Sequence, residues 1–201
     1  LFQTKVNTYS VDLASKTSVV TFLNNKEIEF SLLDGVLFPI GMMSDKDFIT
    51  GLNDSAEQIN NANFLSIVKF VEKITPFFKK RNNGLIIGFS SVASSLGRKK
   101  NIIYSASKRA LNSYFESLLA TFKSSNINVQ FYVLGYLDTN LAFDEKLILP
   151  KASTKQLAFE VFKNIKKNNI KKFYPKWWGL ISYCISLIPF FAIKKLFNFI
   201  K

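Results

Sequence analysis

With 201 residues, 48% of them hydrophobic, the chain is long enough for one domain with a substantial core and too short for two of ordinary size. A single cysteine, Cys184, and no histidine exclude an internal disulfide and a Cys/His zinc site, so a reducing, cytoplasmic compartment and no metal centre are expected. The formal charge of +13 comes from lysines spread over many segments of a chain also rich in Asn, Ile and Phe. That dispersal argues against the clustered cationic face of a nucleic-acid binder.

Residue 1 is leucine and no signal-peptide pattern follows it, so the chain is expected to be incomplete at its start. Thr4 to Leu13 alternates imperfectly through Val6, Tyr9 and Val11 and predicts a strand running into a short helix over 16–24. "LLDGVLFPIG" at 32–41 predicts a buried strand and a loop at its C-terminal end. Phe64, Ile67, Val68, Val71 and Ile74 recur at helical spacing, which predicts a helix over 55–75 that stops at or near Pro76.

"GLIIGF" at 84–89 reads as a second buried strand, followed by a helix over 102–123 that buries Leu111, Tyr114, Phe115, Leu118 and Phe122. Ile127, Val129, Phe131 and Val133 alternate as a strand that ends in "LGYLDT". A helix over 153–167, capped by Ser153 or Thr154, and a short strand "IKKFYP" follow. Strands alternating with helices imply an α/β fold, a parallel sheet with helices on both faces and ligands at the C-terminal strand ends.

Composition shifts at Pro175. Trp177 to Ile193 is a run of 17 uncharged residues interrupted by Gly179 and Pro189 and flanked by lysines; the basic stretch "KNIKKNNIKK" precedes it. Three readings stay open for this tail, 176–201: attachment to an anionic membrane surface, a substrate-covering lid, or a short membrane span.

Tyr104 and Lys108 are four residues apart on a predicted helix, hence on one face one turn apart. A nearby ammonium favours the phenolate and lowers a tyrosine pKa from about 10 towards neutrality, so Tyr104 is a candidate general acid or base. Ser91 follows the strand at 84–89, where its hydroxyl would meet a substrate oxygen; Ser90 is its nearest rival.

"SSVAS" placed 13 residues ahead of the tyrosine of "YSASK", when Ser91 is counted, resembles the short-chain dehydrogenase/reductase family. The resemblance covers nearly the whole chain to about residue 175 and implies one Rossmann-like domain over 1–175. It implies a Ser-Tyr-Lys-Asn site of Ser91, Tyr104, Lys108 and Asn63, the last in "NNANF". It further implies an NADP or NAD cofactor contacted by Asp12 near the adenine, by Gly41, by Tyr104 and Lys108, and by Thr139 near the carboxamide. Association of copies through the two long helices is implied in the same way.

Two departures stand out. The family's opening strand and glycine-rich turn have no counterpart, since the first glycine is Gly35; on the order of 50 residues are missing from the front of the pattern. The family's Asn-Asn-Ala-Gly is replaced by Phe38, Pro39, Ile40 and Gly41, and Leu134 stands for a proline. "RKKNIIYSASK" with the apolar tail is similar to the decaprenylphosphoryl 2-keto-ribose reductases, which implies a hydrophobic or lipid-linked substrate. A non-catalytic remnant or membrane-peripheral binding module of the same fold is the alternative.

Overall fold

The apolar runs pair as four parallel strands, β1 (Gly35–Phe38), β2 (Gly84–Ser91), β3 (Ile127–Leu134) and β4 (Ile170–Tyr174), in the order β1-β2-β3-β4. A computed structural model describes residues 6–25, 28–44, 47, 55–97, 101–139, 150–189 and 192. The helices are α1 (Lys16–Leu23), α2 (Ser55–Asn60), α3 (Ser66–Arg81), α4 (Ile102–Thr121), α5 (Thr154–Asn164) and α6 (Trp177–Ser186). The central strands β2 and β3 are buried almost throughout, which explains why they read as continuous apolar runs.

The period of two along the strands divides the core. Ile86, Val129, Phe131 and Val133 join one cluster with residues of α1, α3 and α4. Ile87, Phe89 and Tyr132 point the other way, against Leu157 and Val161 of α5. All three crossovers step in one direction across the sheet, yet α5 lies on the face opposite α3 and α4. The crossover through α5 therefore has the opposite hand to the other two.

Several expectations change. Residues 6–12 form no strand: Asp12 accepts from the Ala14 N–H and donates its own N–H to Ser18 Oγ, so the backbone is committed to a turn that starts α1. The helix expected to end at Pro76 runs on to Arg81. Pro76 and Glu72, whose carbonyl loses its partner there, both face solvent, while Val71, Ile74 and Phe78 hold the opposite face in the core. Asn82, in the left-handed region at φ 48°, ends it.

Between α2 and α3 the helix widens into a π-turn, Asn61–Leu65. At the other end of the chain, α5 stops at Asn164 rather than 167 because buried Gln130 of β3 donates to the carbonyls of Asn164 and Lys167, each at 2.8 Å. Its start is capped by Ser153. Among the described residues no helix is long and apolar enough to cross a membrane; residues 190, 191 and 193–201 of the tail lie outside the described residues.

Sheet and helix α4 approach closely at Gly88. The Phe115 ring of α4 stacks on Phe131 with centroids 4.7 Å apart, and a Cβ at Gly88 would lie 2.2 Å from Phe115 Cζ. Gly88→Ala should cost about 1–3 kcal/mol in urea unfolding, and the added Phe115→Leu change should return part of that loss. Equal midpoints for the wild type and Gly88→Ala would show that the ring yields freely.

Candidate active site

The C-terminal ends of β1 and β2 converge on one cation. Lys108 of α4 is 2% exposed, and its Nζ donates to the carbonyls of Ile40, 2.7 Å away, and Phe89, 3.3 Å away. Tyr104 is also buried, one turn earlier on the same face, with its ring centroid 5.9 Å from Lys108 Nζ. Burial lowers the lysine pKa from 10.5 to about 8, so the ammonium persists at neutral pH and is lost in mild base.

Asn63 sits in the π-turn with its side chain fully buried. Its Oδ1 accepts from the Met42 N–H at 2.7 Å, and its Nδ2 donates to Met42 O at 2.9 Å and Ser107 Oγ at 3.1 Å. Ser107 in turn donates to Tyr104 O. One carboxamide thus ties the loop after β1 to the helix that carries Tyr104 and Lys108, and both its amide hydrogens are committed.

The two serines separate by role. Ser90 is buried and donates to Lys108 O at 3.1 Å, fastening α4 to β2. Ser91, the last residue of β2, is half-buried and accepts from the Ala93 N–H as the cap of a single turn, Val92–Ser94. Acting as acceptor there, it keeps its hydroxyl hydrogen for another partner.

Gly41 lies between Ile40, which receives the Lys108 bond, and Met42, which receives Asn63. Asp12 stands on a flanking loop, joined to the π-turn where Asn61 Nδ2 donates to Ala14 O. Thr139 is exposed in the loop after β3, where its N–H donates to Leu137 O. Tyr104, Lys108, Ser91, Gly41 and Asn63 therefore gather at one sheet edge, with Asp12 and Thr139 on the loops beside it. No group of acidic, cysteine or histidine side chains fit to hold a metal ion occurs among the described residues.

Sequence reasoning missed Asp47. Its buried carboxylate accepts from the N–H groups of Ile103 at 2.7 Å and Tyr104 at 2.8 Å, capping α4. The usual local signal is absent because Asn101, at the cap position, has φ 57° and makes no side-chain cap bond. Trp178 of α6 was missed as well. Its indole packs on Gly135, where a Cβ would lie 1.9 Å from Nε1, and Ser95 donates to Ser182 Oγ at 3.2 Å, so α6 roofs the strand ends beside Ser91.

Parallel strands with a buried Tyr-Lys pair at their C-terminal edge define a Rossmann-like α/β nucleotide-binding class. The family model described as short chain dehydrogenase matches residues 2–146, and the chain belongs to that family. It is 30% identical over 171 residues to Hydroxysteroid 11-beta-dehydrogenase 1-like protein A of Xenopus laevis, covering 82% of this chain and 58% of that protein. It is 35% identical over 101 residues to human Retinol dehydrogenase 8, covering 50% of this chain and 32% of that one. A short chain dehydrogenase from Burkholderia cenocepacia in complex with NADP has a TM-score of 0.73 at 15% identity, covering 93% of this chain and 76% of that chain. The chain thus spans little more than half the length of the first of these curated relatives.

The buried lysine makes stability depend on pH. The folded chain releases the Lys108 proton near pH 8 and the unfolded chain near 10.5, so the unfolded state holds more protons in between and stability rises across that window. Urea unfolding from pH 7 to 10 should show the wild type gaining on Lys108→Met above pH 8. Parallel pH curves for the two proteins would contradict the burial of a titrating lysine.

Proposed function

We propose that this chain carries the proton-transfer and nicotinamide-side part of an NAD(P)-dependent oxidoreductase that reduces a carbonyl, or oxidises a hydroxyl, of a hydrophobic or lipid-linked substrate. The observation that carries this reading is the buried Lys108 ammonium held by two strand-end carbonyls beneath Tyr104. Of its three N–H groups, two meet Ile40 and Phe89, which leaves one for a sugar hydroxyl. Gly41, Thr139 and Asp12 would complete the nicotinamide and adenine ends of the cofactor site. The residues present fit those ends; a glycine-rich cradle for the pyrophosphate is not among the 201 residues, whose first glycine is Gly35.

The bound cofactor supplies or accepts a hydride. Ser91 donates its free hydroxyl hydrogen to the substrate oxygen and polarises the carbonyl. Tyr104 gives its phenolic proton to that oxygen, and Lys108, charged at pH 7, stabilises the phenolate left behind. Asn63 fixes Met42 and Ser107 and keeps one carboxamide lone pair for a water that returns protons towards Lys108. Oxidation runs the same transfers backwards.

The α6 roof, with Trp178 against Gly135, supports an apolar substrate side, as do relatives named for hydroxysteroid and retinol substrates. The exposed Leu180 and Tyr183 of α6, with Leu187 just after it, fit contact of the 176–201 tail with a membrane surface.

In titrations followed by protein fluorescence, the protein as its cell produces it should bind NADPH or NADH saturably. Tyr104→Phe should keep that binding and lose about 10²- to 10⁴-fold in turnover of a hydrophobic ketone. Folded protein without saturable binding would leave the non-catalytic binding module as the better account.

A further inference from the structure

The outward face of α5 is unlike an ordinary solvated helix face. Leu157, Val161 and Asn164 turn to the sheet. On the opposite side Phe159 and Phe162 are 67% and 71% exposed, and Lys155 precedes them at the spacing of four and then three that places side chains on one face. Lys163 is exposed in the last turn of the same helix, and Lys166 and Lys167 are exposed in the turn that follows it. Two phenylalanines held in water among lysines call for an apolar partner with negative charge around it.

We infer that this face of α5 docks on an anionic lipid surface, with Phe159 and Phe162 inserted at the headgroup boundary and the lysines over acidic headgroups. Charge selects this occupant over a second copy of the chain. The only acidic residue of α5, Glu160, is engaged on the flank towards β4, accepting from Asn164 Nδ2 at 2.8 Å and Lys172 Nζ at 3.0 Å, bonds that hold its pKa below the ordinary value. Two α5 faces pressed together would therefore oppose lysines with no carboxylate between them, whereas phosphatidylserine supplies the missing charge.

The position fits as well. Gln156 and Glu160 of α5 share a cleft of about 330 Å³ with Tyr174, Pro175 and Lys176 at the root of α6. That cleft sets one flank of α5 beside the root of the helix whose exposed apolar side is proposed above to meet a membrane surface. This inference stands apart from the catalytic reading and holds or fails whether or not the chain turns over a substrate.

The test is sedimentation of the full chain with vesicles of phosphatidylcholine alone and with about a third phosphatidylserine, at low and high salt. The wild type should partition onto the acidic vesicles and come off with salt, and Phe159→Ser/Phe162→Ser should bind about tenfold more weakly or worse. Circular dichroism should show both proteins equally folded, since neither ring contributes to the core. Undiminished binding by the double variant would assign all attachment to the tail and overturn the inference, as would a wild type that ignores the vesicles. A wild-type dimer by light scattering that the double variant lacks, without vesicle binding, would give the face to a second copy.

Discussion

A buried ammonium between two strand-end carbonyls organises this molecule. Taking Lys108 out of water costs free energy, and that cost is what lowers its pKa towards 8. The bonds to Ile40 and Phe89 offset part of it, and they are available only if those two carbonyls lie at the same level and α4 crosses above them. The register of β1 on β2, Phe38 beside Gly88, supplies that level. Gly88 supplies the approach by letting the Phe115 ring settle against the sheet. A side chain there would lift α4 and draw the ammonium away from its carbonyls, so packing and proton chemistry meet in one requirement.

Around that cation the helix is fastened at three heights. Asp47 holds its N-terminal N–H groups, Asn63 reaches it through Ser107, and Ser90 takes the carbonyl of Lys108 itself. These polar groups are buried and come from segments far apart in the chain, so each fixes a tertiary position as well as satisfying a hydrogen bond. The carboxylate of Asp47 also meets the positive end of α4, which it stabilises. Tyr104 therefore starts its helix between a negative charge on the backbone side and a positive charge one turn on, with little freedom to drift.

How much of this was legible in the sequence follows from what is local. β2, β3 and α4 announce themselves because their apolar periods coincide with burial on the faces that pack. Tyr104 and Lys108 are visible by spacing alone, and Ser91 by its place after a strand. Asp47 is invisible because the helix it caps begins 55 positions later and the residue at the cap makes no side-chain bond. The helix through Pro76 defeats a local rule because the rule cannot know that the broken turn faces water. The strand expected before Asp12 fails for a complementary reason: the described sheet ends at β1, and a strand without a neighbour has nothing to satisfy its backbone.

The change of hand in the last crossover links the chemistry to its surroundings. A β3-to-β4 connection of the usual hand would have stacked α5 beside α4, where a face bearing Phe159 and Phe162 would be within reach of neighbouring helices. Crossing to the other face leaves α5 with Ile87, Phe89 and Tyr132 beneath it and its outer face open. The chain then returns through β4 to the edge where Ser91 and Lys108 lie, and α6 closes over Gly135 with its own apolar side outward. α6 thus roofs the strand ends beside Ser91 while Leu180 and Tyr183 on its outer side stay exposed, so one short helix both closes over the site and carries the apolar surface next to it.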